Sequence, residues 1–175
     1  NEAIKINPSD SDNFNSRGVL YRKKLKNYSL AFEDFKKAHA LSPETTTILN
    51  NLCDLENDRD NHESAILFCN KSIEINGGDY TNFLFRSEAY FGLKKYELAL
   101  KDINKALELN NNYERDFAYR AFLKGILNDI EGAIKDFNIY LSKNPDDTYI
   151  LRQRAYAYYT EGYYDLAKTE YVKLI

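Results

Sequence analysis

Apolar and small side chains recur along the chain at separations of three and four residues, the spacing of a helix with one buried face. No segment keeps up the apolar–polar alternation of a half-buried strand. Turn-forming residues separate the helical stretches, at 7–8, 42–43, 77–78, 110–112 and 144–145. The pattern predicts pairs of α-helices, with a tight turn inside each pair and a short loop after it.

The helical pattern repeats with a period of 34 residues. Its clearest mark is a series of alanines at that interval, namely Ala31, Ala65, Ala99, Ala133 and Ala167. We therefore expect a single array over 1–175, in which each helix pair buries its apolar face against its neighbours. The predicted repeats are 11–45, 46–79, 80–113, 114–147 and 148–175, the last one incomplete, and 1–10 is interpreted as the end of a preceding repeat. We also expect this chain to be a fragment of a longer protein, because the apolar side chains of Leu174 and Ile175 would otherwise have no neighbouring helix to cover them.

The first repeat contains one extra residue. Gly18 precedes Ala31 by 13 positions, whereas Cys53 precedes Ala65 by 12. We place the insertion in the turn inside that repeat, near 24–26, because a turn accommodates an added residue more easily than a packed helix does.

The residues of one period resemble a known repeat family. Their order is bulky, small, aromatic, alanine, aromatic, small and proline, as in Phe14, Gly18, Tyr21, Ala31, Phe35, Ala38 and Pro43 of the first repeat. This order at a 34-residue period resembles the tetratricopeptide repeat, and the resemblance covers nearly the whole chain. It implies an all-α fold, an α-solenoid of antiparallel helix pairs in a right-handed superhelix, with the first helices lining a concave groove.

Small residues are expected where two helices cross closely, because side-chain bulk sets the distance between helix axes. Tyr140 stands at a position where the first three repeats have alanine or serine. We expect its ring to pack over Ala155 and Ala157, and to extend the core rather than enter the groove.

An arginine and an acid recur at fixed places in four of the five repeats. The arginine comes immediately before the small residue of the first helix, and the acid follows 16 residues later, or 17 in the first repeat. The candidate pairs are Arg17–Asp34, Arg86–Asp102, Arg120–Asp136 and Arg154–Glu170. Leu52 and Phe68 replace both partners together in the second repeat. Because antiparallel helices would bring the two positions level, we predict four ion pairs and one apolar contact.

Composition and motifs argue against several classes of function. A net charge of −3 is unlike that of a nucleic-acid binder, which would carry a basic stripe. The apolar runs are too short to span a membrane. The chain contains no glycine-rich phosphate loop, no nucleophile elbow and no convergent pair of carboxylates. We therefore expect no enzyme activity, no catalytic residues and no cofactor.

The cysteines and histidines do not make a metal site. Cys53 and Cys69 occupy buried positions of the second repeat and should face each other across its helix pair, while His39 and His62 lie near helix ends. Two cysteines with one histidine form an incomplete zinc set. Buried, reduced thiols are the favoured interpretation, and a disulfide is the less favoured one.

The side of each first helix that faces away from the core is the candidate binding surface. The predicted groove residues are Asn15, Arg22, Asn50, Asp54, Asn57, Asp58, Leu84, Glu88, Phe91, Arg115, Phe122, Ile126, Arg152, Tyr156 and Tyr159. Their character changes along the array, from polar and acidic to apolar and aromatic. Clustered exposed apolar side chains often mark a contact site. A partner with an apolar anchor and a flanking basic residue would fit both parts.

These features favour a protein–protein interaction scaffold that binds a peptide segment or helix of a partner in its groove. Two alternatives stay open: a regulatory or targeting region of a larger enzyme or membrane-associated protein, and a self-association module. Another part of the same chain could also cover the groove. The carboxylate clamp by which some members of the resembled family hold chaperone tails is not matched, because Val19, Leu84 and Glu88 replace its asparagine and basic residues. We expect a protein or peptide partner, no nucleic acid and no membrane insertion; the compartment stays open, with the cytoplasm favoured.

Overall fold

The computed structural model describes residues 2–174, and within that range the chain is all-helical, without strands. Its helices are α1 (Glu2–Ile6), α2 (Ser11–Lys23), α3 (Tyr28–Leu41), α4 (Thr46–Asp58), α5 (His62–Ile75), α6 (Tyr80–Gly92), α7 (Tyr96–Leu109), α8 (Glu114–Ile126), α9 (Ile130–Lys143), α10 (Thr148–Thr160) and α11 (Tyr164–Lys173). The predicted all-α solenoid of antiparallel helix pairs is confirmed. None of the described helices is long and apolar enough to cross a membrane.

The helices belong to two compact units, one ending at Lys95 and the other beginning at Tyr96. In the first unit, the largest apolar cluster lies between α2, α3 and α4 and contains the fully buried Phe35 and Ile48. In the second unit, the apolar cluster joins α8, α9 and α10 through residues such as Ala121, Phe137 and Leu151. Each core therefore lies between the two helices of one pair and the first helix of the next.

The tight turns inside the helix pairs share one backbone conformation. Each contains a residue in the left-handed region, and these residues are Lys26, Asp60, Lys94, Asn128 and Gly162. In four of the turns the next amide donates to the carbonyl five residues earlier, as Asn61 does to Glu56 at 2.9 Å, which satisfies the end of the first helix. In the first turn, which contains the extra residue, Asn27 donates to the carbonyl of Tyr21, six residues earlier, at 2.9 Å. The turn between α2 and α3 spans four residues, 24–27, whereas the one between α4 and α5 spans three, 59–61. The predicted insertion therefore lies in the first turn.

Close crossing explains the small residues of the pattern. A Cβ atom added at Gly18 would lie 2.6 Å from a ring carbon of Phe35, so α2 and α3 approach too closely there for any side chain. Ala31 and Ala38 of α3 are fully buried at the same interface.

Ion pairs connect the two helices of three repeats, as predicted. The Nε and Nη2 atoms of Arg17 donate to the two carboxylate oxygens of Asp34 at 2.7 Å each. Arg120 holds Asp136 in the same way at 2.7 Å, and Arg154 contacts both oxygens of Glu170. In the second repeat, Leu52 and Phe68 belong to one apolar cluster instead. The remaining pair, Arg86 with Asp102, has one residue in each unit and stays a prediction.

Three of these arginines also contact the preceding repeat, which was not predicted from the sequence. Their Nη1 atoms donate to asparagine side chains on the previous second helix, and the pairs are Arg86–Asn70 at 2.7 Å, Arg120–Asn104 at 3.0 Å and Arg154–Asn138 at 2.6 Å. These asparagines are 34 residues apart, so the signal was present in the sequence. Aromatic rings of the arginine's own helix stack near the guanidinium, for example Phe117 at 5.3 Å from the Cζ atom of Arg120.

The oxidation state expected for the cysteines was wrong. Cys53 and Cys69 do face each other, but they form a disulfide, with Cα atoms 5.5 Å apart. The bond closes a loop with a sequence separation of 16, for which restriction of the unfolded chain contributes about 3 kcal/mol. The close crossing of α4 and α5 brings the thiols within bonding distance, and only the three-dimensional structure shows this.

The placement expected for Tyr140 was only partly right. Its ring packs against the core of the second unit, but it is directed towards the start of α10, where its hydroxyl donates to Asp147 at 2.7 Å. It also lines a depression together with Asp147 and Ile150 of this end of α10, and packing of the ring over Ala155 and Ala157 stays a prediction. The expectation that Leu174 lies uncovered was also wrong, because it packs against the same core cluster. Ile175 is outside the described residues.

Asp116 is a buried carboxylate at a position that an amide occupies in another repeat. The residue 34 positions earlier, Asn82, is fully buried, donates to the carbonyl of Asn76 at 2.8 Å and accepts from Ser72 at 3.0 Å. Asp116 is 8% exposed, and its Oδ2 atom has no hydrogen-bond partner among the described residues. Burial, with a smaller contribution from the charge of Glu114, raises its pKa to about 6. An ionised carboxylate is therefore disfavoured there.

We expect the paired substitution Arg17→Leu with Asp34→Phe, which copies the second repeat, to be less destabilising than Asp34→Ala alone. The single change leaves a guanidinium without its partner and should lower the unfolding free energy by about 2–3 kcal/mol. Urea unfolding followed by circular dichroism measures both. Glu33→Ala, at an exposed position of α3, is the control and should change stability by less than about 0.5 kcal/mol. Equal losses for the single and paired variants would contradict the prediction.

We expect Asp116→Asn to stabilise the protein at neutral pH by on the order of 1–2 kcal/mol, because it removes an unpaired buried carboxylate. The raised folded-state pKa means that the carboxyl group favours folding below its unfolded pKa, near 3.8, and loses this contribution as the pH rises through about 6. The advantage of the variant should therefore shrink when urea melts are repeated at decreasing pH. An advantage that stays constant with pH would show that the ionisation of Asp116 does not matter.

Candidate binding surface

The predicted groove residues of α2 and α4 are bound by other residues of the first unit. Arg22 of α2 donates to Asp58 of α4 from Nε at 2.6 Å and to Asp54 from Nη2 at 2.6 Å. Asn57 donates to the carbonyl of Phe85 at 2.8 Å, which ties α4 to α6. These contacts join successive first helices, so the groove side chains here hold the array together.

Two further asparagines of this surface are engaged in the same way. Asn15 accepts from Asn51 at 2.8 Å. Asn50 is 7% exposed and donates to Asp79 at 3.2 Å and to Thr81 at 3.0 Å, so its amide nitrogen is directed into the protein. The amide oxygen of Asn15 and the amide nitrogen of Asn50 are therefore engaged within the protein.

The acidic residues of the predicted groove, Asp54 and Asp58, are largely neutralised by Arg22. Burial raises the pKa of Asp54, while the charge and hydrogen bonds of Arg22 act in the opposite direction. One guanidinium thus serves two carboxylates. A basic residue of a partner would have to compete with Arg22, so the structure removes the reason for expecting a basic partner segment.

The predicted groove residues of α6 are more varied. Leu84 is half-buried, Glu88 is exposed, and the ring of Phe91 is 38% exposed. These residues belong to the first unit, whereas α8 and α10 belong to the second.

The second unit presents a more open surface, formed by one side of α8 and α10. We call it the α8–α10 surface, and it comprises Arg115, Phe122, Gly125, Ile126, Arg152, Tyr156 and Tyr159. Tyr156 and Tyr159 are 63% and 59% exposed, and Ile126 is 48% exposed. Phe122 differs, because its half-buried ring lies 5.4 Å from that of Phe137 and 6.0 Å from that of Tyr149. Phe122 is therefore both a surface residue and a part of the core.

A cavity of about 370 Å³ opens on this surface between α8, α9 and α10. Its walls contain no charged side chain and consist of Ala121, Phe122, Gly125, Ile126, Asn128, Ile130, Ala133, Phe137, Gln153, Tyr156, Ala157 and Thr160. We call it the Gly125 cavity, after the residue whose missing side chain leaves the space. Other first helices place Arg22, Asn57, Phe91 and Tyr159 at the corresponding positions. This gap was not predicted from the sequence, although a glycine among large residues was its signal.

A second depression adjoins the cavity, with Phe122 bordering both. It is lined by Arg115, Ala118, Tyr119, Phe122, Tyr140, Asp147 and Ile150. The carboxylate of Asp147 is already occupied, because it accepts from the hydroxyl of Tyr140 and from the amides of Tyr149 and Ile150. The hydrogen bond from Tyr140, followed by that from the amide of Ile150, lowers the pKa of Asp147. This carboxylate therefore stays ionised and serves as the cap of α10.

Comparison with known proteins agrees with this architecture. Residues 81–113 match the family model described as tetratricopeptide repeat. No curated protein matches the chain.

Solved structures of similar fold cover almost the whole chain. The PilF protein of Pseudomonas aeruginosa has a TM-score of 0.86 at 19% identity, over 98% of this chain and 78% of that one. The MamA protein has a TM-score of 0.81 at 18% identity, over 94% and 89%. YrrB, described as a TPR protein with an unusual peptide-binding site, has a TM-score of 0.80 at 17% identity, over 99% and 89%. At these identities the likeness concerns the fold, so the chain has the fold of tetratricopeptide repeat proteins and carries a recognisable tetratricopeptide repeat at residues 81–113.

Proposed function

We propose that this protein is an interaction module that binds a segment of a partner protein on the α8–α10 surface. The observation that carries the proposal is the Gly125 cavity, an uncharged space of about 370 Å³ bordered by the exposed ring of Tyr156. Binding sites of proteins are commonly concave and mostly apolar, with a few polar groups. Gln153 and Thr160 supply such groups at this cavity.

The fold supports the proposal in general terms. Tetratricopeptide arrays display long, regular surfaces that bind other proteins, and one of the similar structures is described as having a peptide-binding site. The first unit is less suited to binding a partner, because Arg22, Asp54 and Asn57 of its groove side are engaged in contacts within the protein. The partner segment could be extended or helical, and either form can place one large side chain in a cavity.

Gly125→Leu is the sharpest test, because it fills the cavity with a side chain of the protein itself. A Cβ atom at Gly125 would meet no neighbour within 4 Å, so the change should not disturb packing. Replacing a helical glycine should even stabilise α8, by up to about 1 kcal/mol. We expect peptides selected on the parent protein from a random display library to lose at least about tenfold in affinity for the variant, or about 1.4 kcal/mol.

Lys135→Leu is the matched control, since it adds the same side chain at an exposed position of α9 outside the cavity. It should bind the selected peptides as the parent does. The proposal fails if no peptide is enriched, or if the enriched peptides bind Gly125→Leu as tightly as the parent protein. Phe122→Ala is a poorer test, because the contacts of Phe122 with Phe137 make a loss of stability the expected result.

A further inference from the structure

We infer that the partner segment is acidic, with one large apolar side chain for the Gly125 cavity and carboxylates that bind Arg115 and Arg152. This inference rests on the proposed function and specifies the chemistry of the ligand. From the sequence alone we expected a basic residue beside the apolar anchor of the partner, and we now infer acidic residues there. The reason is that the charged side chains are paired differently in the two units.

The large apolar side chain of the ligand is inferred from the Gly125 cavity. Glycine inside a helix costs up to about 1 kcal/mol relative to alanine, and a close approach by another group is one physical reason for its presence. Gly18 and Gly132 have one, because an added Cβ would lie 2.6 Å from Phe35 and 2.1 Å from Asp129, respectively. Gly125 has no such neighbour within 4 Å. The space beside it is open to a side chain from outside, and its uncharged walls select an apolar one.

The negative charge of the ligand is inferred from two arginines of the second unit that have no carboxylate partner. Arg115 and Arg152 are exposed, and no carboxylate oxygen among residues 2–174 forms an ion pair with either. Arg22 on the first unit is the contrast, since Asp54 and Asp58 both bind it. The residues of the α8–α10 surface include two arginines and no acid, so its own charge complements a negative ligand.

The nearby acids do not remove this complementarity. Asp147 borders the same depression as Arg115, but its oxygens accept from Tyr140 and from two backbone amides. Glu114 precedes Arg115 in the first turn of α8, where a negative charge is favoured by the helix dipole. A carboxylate from a partner can form a bidentate pair with a guanidinium that has none.

The distance between the arginines and the cavity sets the separation of the acidic residues from the apolar anchor in the ligand. Arg115 precedes Phe122 by seven residues on α8, or about 10 Å along the axis, and Arg152 precedes Tyr156 by one turn on α10, or about 6 Å. Both arginines lie towards the helix N-termini relative to the cavity. An extended segment covers this distance in about two or three residues. The acidic residues should therefore follow or precede the anchor at that separation.

Four synthetic peptides of about twelve residues, acetylated and amidated so that no terminal charge contributes, test the inference. One has a leucine anchor with aspartates about two and three residues away. The second has asparagines in place of the aspartates, the third has lysines there, and the fourth keeps the aspartates but replaces leucine by serine. We expect the first to bind at least about tenfold more tightly than each of the others, by fluorescence anisotropy. Its advantage over the asparagine peptide should shrink at about 0.5 M NaCl, where charges are screened.

Variants of the protein separate the two parts of the inference. Arg115→Glu with Arg152→Glu should reverse the order of the aspartate and lysine peptides, whereas Lys135→Glu on the exposed side of α9 should leave that order unchanged. Gly125→Leu should weaken all the leucine peptides together. Circular dichroism melts show whether each variant is folded.

The outcomes distinguish failure of this inference from failure of the proposed function. Equal binding of the aspartate and asparagine peptides would overturn the acidic ligand while leaving an apolar binding site. Equal binding of the leucine and serine peptides would overturn the anchor. If none of the four binds although library-selected peptides do, the ligand chemistry inferred here is wrong. If library-selected peptides do not bind either, the proposed function itself fails.

Discussion

A guanidinium group held between helices is the interaction on which the packing of this protein depends. Arg120 of α8 shows it most fully, because it binds Asp136 on α9 and Asn104 on α7 and lies beside the ring of Phe117. One side chain thus joins its own helix to the next and to the previous one. Its partner carboxylate is 2% exposed, so the pair is shielded from solvent and either residue alone would be costly to bury. The arginine lies on the side of α8 that faces the neighbouring helices, whereas Arg115 and Ile126 of the same helix are exposed.

The second repeat shows that the same junction can be built without that charge. Leu52 and Phe68 provide an apolar contact where the arginine and the acid stand elsewhere, and a disulfide joins the two helices nearby. The aromatic residue of the pattern is also lost there, since Glu56 takes its place and binds Arg59 at 2.5 Å. The two changes are consistent with each other, because an aromatic ring at this position gains no cation–π contact when the guanidinium is absent.

The two units use equivalent surface positions in opposite ways. In the first unit, Arg22, Asp54 and Asn57 satisfy one another or the backbone, so the surface contributes to cohesion. In the second unit, the corresponding positions include Gly125, beside an open cavity, and Tyr159, which is largely exposed. The proposed binding surface thus lies where the side chains have fewer partners within the protein. This follows from general physical chemistry, because a polar group that is already satisfied gains little from a partner.

The sequence by itself determined the helix pairs, the extra turn residue and three of the ion pairs, because each follows from a short spacing repeated every 34 residues. Only the tertiary structure decided the oxidation of Cys53 and Cys69, the pairing of Arg22 with two acids, the half-burial of Phe122 and the cavity beside Gly125. These depend on how closely particular helices approach one another, to within an ångström or two. A periodic pattern indicates which face of a helix is buried, whereas the distance between two helices is set by all the side chains at their crossing.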